Sequence, residues 1–222
     1  MQLPANFDSV SLDGIMSDWL LALREFSVEA IAVLGPDPFA GLQHRLVVAL
    51  HPPRLLEAAR ALAEGQDSGV PQADAAAPLV SWQLIVESAF GHHSRWRRLW
   101  LGYGYQSVVR IEFPLVSARA FEVYLFSPRQ WHDRNEAAAL VWSALNIWPL
   151  LSRAIAEVRN PLSPRELECL KLAFQGLTAR ASGEVLLCSE RTINFHLANA
   201  MSKLKVDSKL AAVQRACWLG LI

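Results

Sequence analysis

The last sixty residues of the chain carry a series of helix-start and helix-stop signals that leaves little freedom for the fold. Ser163 is followed three residues later by Glu166, and Pro164 occupies the first helical position between them. This pattern is a capping box, in which serine and glutamate satisfy each other's backbone N–H groups, and proline loses no hydrogen bond at that position. It predicts a helix over Pro164–Phe174, which ends before Gly176, a residue suited to a C-cap.

Three further short helices are predicted, with only a few residues between them. The second covers Thr178–Leu186, and Ser189 is a suitable N-cap for the third, Glu190–Leu204. The fourth covers Lys209–Trp218. The short joint between the second and third helices is typical of a helix-turn-helix, so we predict an all-α, four-helix C-terminal domain.

The third helix divides into an apolar face and a polar face. Four residues at helical spacing are predicted to pack inward: Ile193, Leu197, Ala200 and Leu204. The opposite face carries hydrogen-bonding groups, one aromatic ring and small residues that permit close approach: Arg191, Asn194, Phe195, Ala198, Asn199 and Ser202.

This polar face has the chemistry of a helix that reads DNA. Arginine hydrogen-bonds guanine and asparagine hydrogen-bonds adenine, which assigns base readout to Arg191 and to Asn194 or Asn199. Phe195 can touch a thymine methyl or a sugar. Three lysines at the far end are suited to phosphate contacts that set the register: Lys203, Lys205 and Lys209. The alternative is an ordinary surface helix, because its own dipole also stabilises a basic last turn.

The charge distribution indicates two domains with different partners. The 222 residues have no net charge, but residues 1–160 hold 13 Arg against 16 acids, a balance of −3. Residues 161–222 hold eight bases against five acids, a balance of +3, and contain every lysine in the chain. We predict an N-terminal domain over 1–158, a proline-containing linker over 159–164 and a DNA-binding domain over 165–222.

The N-terminal domain is predicted to place helices around a small antiparallel sheet. The predicted helices are Asp13–Phe26, Pro53–Ala63, Val80–Phe90, Ser94–Leu101 and Asp133–Val158, and the predicted strands are Glu29–Leu34, Leu42–Leu50, Ser107–Leu115 and Ala118–Ser127. Pro149 is expected to kink the last helix. The fold class is therefore α+β, with an α/β/α sandwich followed by the helical domain.

The C-terminal segment resembles the DNA-binding domain of LuxR-type transcriptional regulators. The matching stretches are LSPRELECL, AFQGLTAR, SERTINFHLANAMSKLKV and LAAVQRACWLGLI. The resemblance implies a homodimer that binds double-stranded DNA through a four-helix domain, with the third helix in the major groove. Positions typical of the family are Thr192, His196, Asn199, Lys203 and Leu204, of which Thr192 and His196 are expected to be partly structural.

Three departures from the family pattern are expected either to make the domain less stable or to alter the helix-turn-helix slightly. Ala181, Ser182 and Gly183 stand where the family has Glu-Ile-Ala, and a helical glycine costs about 1 kcal/mol relative to alanine. Leu187 and Lys205 each stand where the family has glycine. A residue with a Cβ costs about 1 kcal/mol at a turn that requires a positive φ.

The N-terminal domain resembles GAF/PAS-type sensor domains and the autoinducer-binding domains of LuxR-type regulators, on the stretches GYQS, VVRIEFPL and FEVYLF. Six aromatic residues are candidates for a small-molecule pocket, with ordinary core packing as the alternative: Trp82, Phe90, Trp96, Trp100, Tyr103 and Tyr105. The family's lactone-binding Asp-Pro pair cannot be placed, since Asp37-Pro38 comes too early. We therefore expect another small molecule, a protein partner or dimerisation alone, and not a standard acyl-homoserine lactone.

Other classes of protein lack support in the sequence. There is no phosphate-binding glycine loop, nucleophile elbow or metal-ligand cluster, so neither catalysis nor a cofactor is predicted. Adjacent His92 and His93 have no carboxylate or cysteine at ligand spacing and predict no metal site. A phosphorylated receiver needs a lysine, which residues 1–160 lack. The remaining alternative is a protein-interaction or anti-regulator module with weakened DNA binding.

The expected location is the cytoplasm, with no membrane partner. The longest strongly apolar runs are too short to cross a bilayer, and the first residues lack the pattern of a signal peptide. The three cysteines have no paired spacing, which fits a reducing compartment.

Overall fold

The computed structural model of the protein describes residues 11–40, 44–65, 80–85, 95–115, 119–131 and 133–222. The chain divides into two compact units, Met1–Ile155 and Ala156–Ile222. The elements that begin in the first unit are α1 (Leu12–Ala22), β1 (Ala30–Pro36), β2 (Arg45–His51), α2 (Leu56–Glu64), β3 (Val80–Leu84), α3 (Arg95–Gly102), β4 (Ser107–Pro114), β5 (Ala120–Ser127) and α4 (Arg134–Arg159). Short 3₁₀ turns cover Arg24–Phe26 and Pro53–Leu55.

The first unit is built on a five-stranded antiparallel sheet with the order β2-β1-β5-β4-β3. Val33 of β1 pairs with Val123 of β5, and Leu125 of β5 pairs with Val109 of β4. Because side chains alternate along a strand, each strand contributes apolar residues to both faces of the sheet.

Helices cover both faces of this sheet. On one face, α1 and α4 bury Trp19, Leu140 and Ile147 against alternate strand residues such as Val123. On the other face, α2 and α3 pack with strand residues into a second core whose members include Leu62, Trp100, Val108 and Phe126. The α/β/α sandwich predicted from the sequence is therefore confirmed.

One predicted helix of this unit is wrong. Val80–Leu84, the first half of the predicted helix Val80–Phe90, forms the edge strand β3, and residues 86–90 lie outside the described residues. Trp82 pairs with Val109 of β4 and packs into the core shared with α1 and α4. A short apolar segment does not reveal its period, so pairing with β4 decided the conformation here.

Another helix of this unit differs from prediction in detail. α1 ends at Ala22, and the predicted continuation to Phe26 is a separate 3₁₀ turn that ends at Ser27 with φ 56°. α4 matches its predicted bounds to within one residue and includes Pro149, and the kink expected there stays a prediction. It is the one helix among the described residues that is long and apolar enough to span a membrane, a test that core helices also pass. Leu140, Ile147 and Leu151 lie in the core of the unit, as expected of a core helix.

The second unit contains the four predicted helices: α5 (Pro164–Phe174), α6 (Ala179–Leu186), α7 (Glu190–Lys203) and α8 (Lys209–Trp218). Their bounds match the predictions to within one residue. The helices enclose a small core, whose fully buried residues are Leu170, Ile193, Ala200, Leu204, Ala212 and Ala216. The predicted domain bounds at 158 and 165 stay a prediction.

Candidate nucleic-acid interface

The first helix of the second unit begins with a complete capping box. The backbone N–H of Glu166 donates to Ser163 Oγ at 3.3 Å, and the backbone N–H of Ser163 donates to Glu166 Oε2 at 2.7 Å. Pro164 is the first helical residue. These bonds satisfy N–H groups that a helix start otherwise leaves without a partner.

The joint between α6 and α7 consists of Leu187, Cys188 and Ser189. Leu187 adopts a left-handed conformation, with φ 54° and ψ 44°, and the next N–H, that of Cys188, donates to the carbonyl of Gly183 at 2.9 Å. Ser189 then caps α7 by accepting from the N–H of Thr192 at 3.1 Å. A tight reversal of this kind brings the two helices close together.

Gly183 permits this close approach. A Cβ at residue 183 would stand 2.6 Å from the carbonyl oxygen of Cys188 and 3.4 Å from the nitrogen of Glu190. Whatever glycine costs in helix propensity, alanine cannot occupy this position without displacing the joint. The sequence pattern did not reveal this requirement, since it arises from backbone in the following turn.

The helix α7 is anchored by one face and exposed on the other. Ile193, Leu197, Ala200 and Leu204 are buried, as predicted. We define the recognition face as the exposed residues Arg191, Asn194, Phe195, Ala198 and Ser202. Asn199, predicted to face outward with them, is half-buried.

Two recognition-face residues stand out by their chemistry. Arg191 has no hydrogen-bond or ion-pair partner among the described residues, so its guanidinium is available to a ligand. The Phe195 side chain is 61% exposed and meets the His196 ring edge to face, with the ring centroids 5.7 Å apart. An exposed guanidinium and an exposed aromatic ring on one face of a helix match the composition of a groove-reading helix.

The remaining predicted contact residues have differing surroundings. Thr192 is exposed, but its Oγ1 lies 2.8 Å from Ser189 Oγ and thus belongs to the cap of α7. Lys209 is exposed on the first turn of α8. Lys205 is also exposed, and its φ of 53° is left-handed. The position where the family has glycine therefore adopts the backbone conformation that favours glycine. The Lys205 carbonyl accepts from Arg215 Nη1 at 3.0 Å.

Lys203 is tied to the first helix of the unit. Its Nζ lies 2.8 Å from Glu166 Oε2, so the capping-box carboxylate also accepts a charged donor from α7. Burial alone would raise the pKa of Glu166, but the hydrogen bonds from Lys203 and from the Ser163 backbone hold it below its ordinary value. Sequence reasoning missed this pair because the two residues are 37 positions apart.

The structure does not bring the six predicted pocket aromatics together. Trp96, Trp100 and Tyr105 share the core beneath α2 and α3, whereas Trp82 packs on the opposite face of the sheet. Tyr103 is exposed, and Phe90 lies outside the described residues. Trp100 stacks on Phe126 with the ring centroids 3.5 Å apart and meets Tyr105 edge to face.

Trp100 also carries a buried hydrogen-bond donor. Its Nε1 is buried and has no hydrogen-bond acceptor among the described residues. A buried indole N–H usually finds a partner, because an unsatisfied donor costs about 1–3 kcal/mol. Of the six predicted pocket residues, Trp96, Trp100 and Tyr105 lie together on one face of the sheet, and the donor among them is Trp100 Nε1.

A charged cluster occupies part of the same sheet face. The buried carboxylate of Glu122 accepts from Arg45 at 2.9 Å, from Arg110 at 3.0 Å and from the Tyr124 hydroxyl. Arg110 also pairs with Glu112. Burial alone would raise the pKa of Glu122, but the guanidinium groups of Arg110 and Arg45 lower it below its ordinary value. The pKa of Tyr124 is raised by burial and by the adjacent Glu122 carboxylate.

No cluster of metal-ligating side chains was found within the described ranges. His92 and His93, the adjacent pair singled out in the sequence, lie outside the described residues.

Taken together, the capped helices, the tight α6–α7 joint and the exposed face of α7 define a helix-turn-helix domain that follows an α/β/α sandwich. A family model described as bacterial regulatory proteins of the luxR family matches residues 160–216. The second unit therefore contains a luxR-family helix-turn-helix domain, as the sequence motifs indicated.

Curated relatives match about a third of the chain. The quorum sensing-dependent transcriptional regulator RpaR of Rhodopseudomonas palustris is 47% identical over 72 residues, which cover 32% of this chain and 30% of RpaR. The transcriptional activator AnoR of Acinetobacter nosocomialis is 43% identical over 61 residues, which cover 28% of this chain and 26% of AnoR. The chain thus spans less than a third of the length of these two relatives. Both are transcriptional regulators, and neither is named as an enzyme.

Solved structures of SdiA share the fold of nearly the whole chain. SdiA in complex with octanoyl-rac-glycerol superposes with a TM-score of 0.54 at 14% identity, over 95% of this chain and 89% of SdiA. A crystal structure of Escherichia coli SdiA superposes with a TM-score of 0.53 at 19% identity, over 97% of this chain and 93% of SdiA. The α+β architecture with a C-terminal helical domain is therefore confirmed.

Proposed function

We propose that the chain is a DNA-binding transcriptional regulator whose helix α7 reads base edges in the major groove. The observation that carries this proposal is the recognition face, which projects Arg191, Asn194 and Phe195 from a helix anchored by Ile193 and Leu197. The luxR-family match over residues 160–216 supports the same assignment. The +3 balance of residues 161–222 is favourable for phosphate contact.

The test is footprinting of genomic fragments bound by the full chain, followed by titration of the protected site at several salt concentrations. We expect the binding constant to fall steeply with salt, because lysine and arginine contacts release counterions from the phosphates. Absence of protected sites, or a flat salt dependence, would contradict DNA binding and favour an interaction module that acts without DNA.

The first unit is proposed to be a sensor that takes a small molecule beside Trp96, Trp100 and Tyr105. Two observations support it: the buried Trp100 Nε1 lacks an acceptor among the described residues, and SdiA, which shares this fold, is solved with octanoyl-rac-glycerol. The surrounding aromatic rings suit an apolar ligand that carries one hydrogen-bond acceptor. A standard acyl-homoserine lactone is not the expected ligand.

The sensor proposal is tested by native mass spectrometry of the protein purified from its own cells, and by thermal unfolding with octanoyl-rac-glycerol as the first probe. Trp100→Phe retains the ring stacked on Phe126 and removes the N–H donor, so we expect it to reduce any ligand-induced rise in Tm. Trp142→Phe is the matched control, since Trp142 is 67% exposed. Equal rises in both variants would exclude Trp100 as the donor.

The chain is further proposed to act in the cytoplasm as a homodimer that uses α4. Trp142 and Leu145 on this helix are exposed, whereas Trp148 stacks on Phe113 at 4.0 Å and is engaged within the unit. Of these two tryptophans, Trp142 is therefore the better candidate for a dimer contact. Analytical ultracentrifugation of Trp142→Glu tests this: we expect a shift from dimer to monomer, and an unchanged dimer would place the interface elsewhere.

A further inference from the structure

The carboxylate of Glu166 is buried and hydrogen-bonded in the second unit. Glu166 is only 4% exposed, and its Oε2 accepts from the Ser163 backbone N–H at 2.7 Å and from Lys203 Nζ at 2.8 Å. Its own N–H donates to Ser163 Oγ. One carboxylate therefore completes the start of α5 and holds a charged donor from another helix.

This contact joins the first turn of α5 to the last turn of α7. The other contacts that seat α7 are mainly apolar, through Ile193, Leu197 and Ala200. Apolar burial is non-directional, so it holds the helix against the core without setting its rotation closely. A charge-assisted hydrogen bond has a defined length and direction and can set that rotation.

We propose that Lys203 is a positioning residue for the recognition helix, acting through Glu166, and that it does not contact DNA phosphate. The inference rests on the proposed DNA-binding function and deepens it. It replaces the phosphate role that sequence position assigned to Lys203. The reason is that a bond to a buried carboxylate at the end of α7 sets the angle at which Arg191 and Asn194 enter the groove.

The phosphate and positioning roles predict different salt dependences. A lysine that neutralises a phosphate contributes about 0.9 to the slope of log K against log salt. Removing a positioning residue lowers affinity for the specific site but leaves this slope and non-specific affinity unchanged. Lys209, exposed at the start of α8, is the matched control, because no carboxylate partner among the described residues holds its ammonium.

The experiment uses the full chain with Lys203→Met, Glu166→Gln, the double variant, Lys203→Arg and Lys209→Met, each titrated against the footprinted site and against unrelated DNA. We expect Lys203→Met and Glu166→Gln each to lose on the order of tenfold in specific affinity, which is typical of a charged hydrogen bond. The double variant should lose no more than either single variant, and Lys203→Arg should restore most of the loss. Lys209→Met should lower the salt slope.

A salt slope lowered by about 0.9 in Lys203→Met would overturn the proposal, as would losses that add in the double variant. If Glu166→Gln prevents folding, the slopes of Lys203→Met and Lys203→Arg decide the question alone. Failure of wild type to bind any DNA would instead contradict the proposed function. The coupling of Glu166 and Lys203 would then still be measurable by unfolding of the same variants.

Discussion

The carbonyl oxygen of Cys188 lies 2.6 Å from the position that a Cβ on Gly183 would occupy. Real Cβ atoms do not approach backbone oxygen so closely, and backbone cannot rotate away as a flexible side chain can. Gly183 therefore sets the distance between α6 and the joint that leads to α7. A residue that helix propensity marks as unfavourable is required by the tertiary structure.

Gly183→Ala is expected to destabilise the second unit, although propensity alone predicts a gain of about 1 kcal/mol. Displacing the joint should cost about 1–3 kcal/mol, as overpacking typically does. Denaturant unfolding of the full chain measures the change. Gly102→Ala is the control, because nothing lies within 4 Å of a Cβ there. A more stable Gly183→Ala variant would mean that the joint adjusts freely.

Leu187→Gly is expected to stabilise the second unit by about 1 kcal/mol, because glycine adopts a positive φ without the steric cost of a Cβ. Little packing is lost, since Leu187 is 93% exposed. Leu187→Ala is the informative control: it shortens the side chain but keeps the strained φ of 54°. Equal gains in the two variants, measured by chemical unfolding, would assign the effect to the exposed side chain.

Arg191→Ala is expected to relax base preference at one position of the DNA site. A bidentate arginine–guanine pair contributes about 1–3 kcal/mol of discrimination against the wrong base. Affinities for a set of single-base variants of the footprinted site measure this. Arg165→Ala removes an exposed charge from α5, which is outside the recognition face as defined on α7, and should retain the wild-type preference. Identical base profiles for both variants would show that the groove face has been assigned wrongly.

Acidification is expected to weaken the second unit through Glu166. The pKa of Glu166 is lowered in the folded state. Its ionised carboxylate therefore adds to the free energy of unfolding above the unfolded pKa of about 4.3, and this addition is lost as pH falls through the folded pKa. The difference in unfolding free energy between wild type and Glu166→Gln should therefore shrink on acidification below about pH 5. A difference that widens in acid would contradict the lowered pKa.

Glu122→Ala is expected to destabilise the first unit by about 3–5 kcal/mol, as breaking a buried ion pair typically does. The variant leaves Arg45 without its carboxylate and Arg110 with Glu112 alone. Thermal or denaturant unfolding measures the loss. Glu57→Ala breaks an exposed pair with Arg95, worth at most about 1 kcal/mol. Similar losses in both variants would mean that the Glu122 cluster is open to solvent.

The helices of the second unit were predictable because their signals are local. Ser163 and Glu166 interact across three residues, and Ser189 caps the turn that follows it directly. The inward face of α7 also follows from spacing alone, since a helix has a constant period. Local hydrogen bonds and helical period thus carry most of what the sequence reveals about this unit.

Predictions in the first unit failed where distant pairing decides. Val80–Leu84 became a strand because β4 lies beside it. Trp82 and Trp100 are close in sequence but pack on opposite faces of the sheet, so they cannot line one pocket. Neither outcome is encoded in a short window of residues.

The sequence by itself determined the four C-terminal helices and which face of α7 is buried and which is exposed, because caps and helical period act over a few residues. Only the tertiary structure decided that Gly183 must be small, that Lys203 holds Glu166 and that Trp100 keeps a buried N–H without an acceptor among the described residues. Each of these depends on atoms brought close by folding from elsewhere in the chain, and no local pattern records such distances.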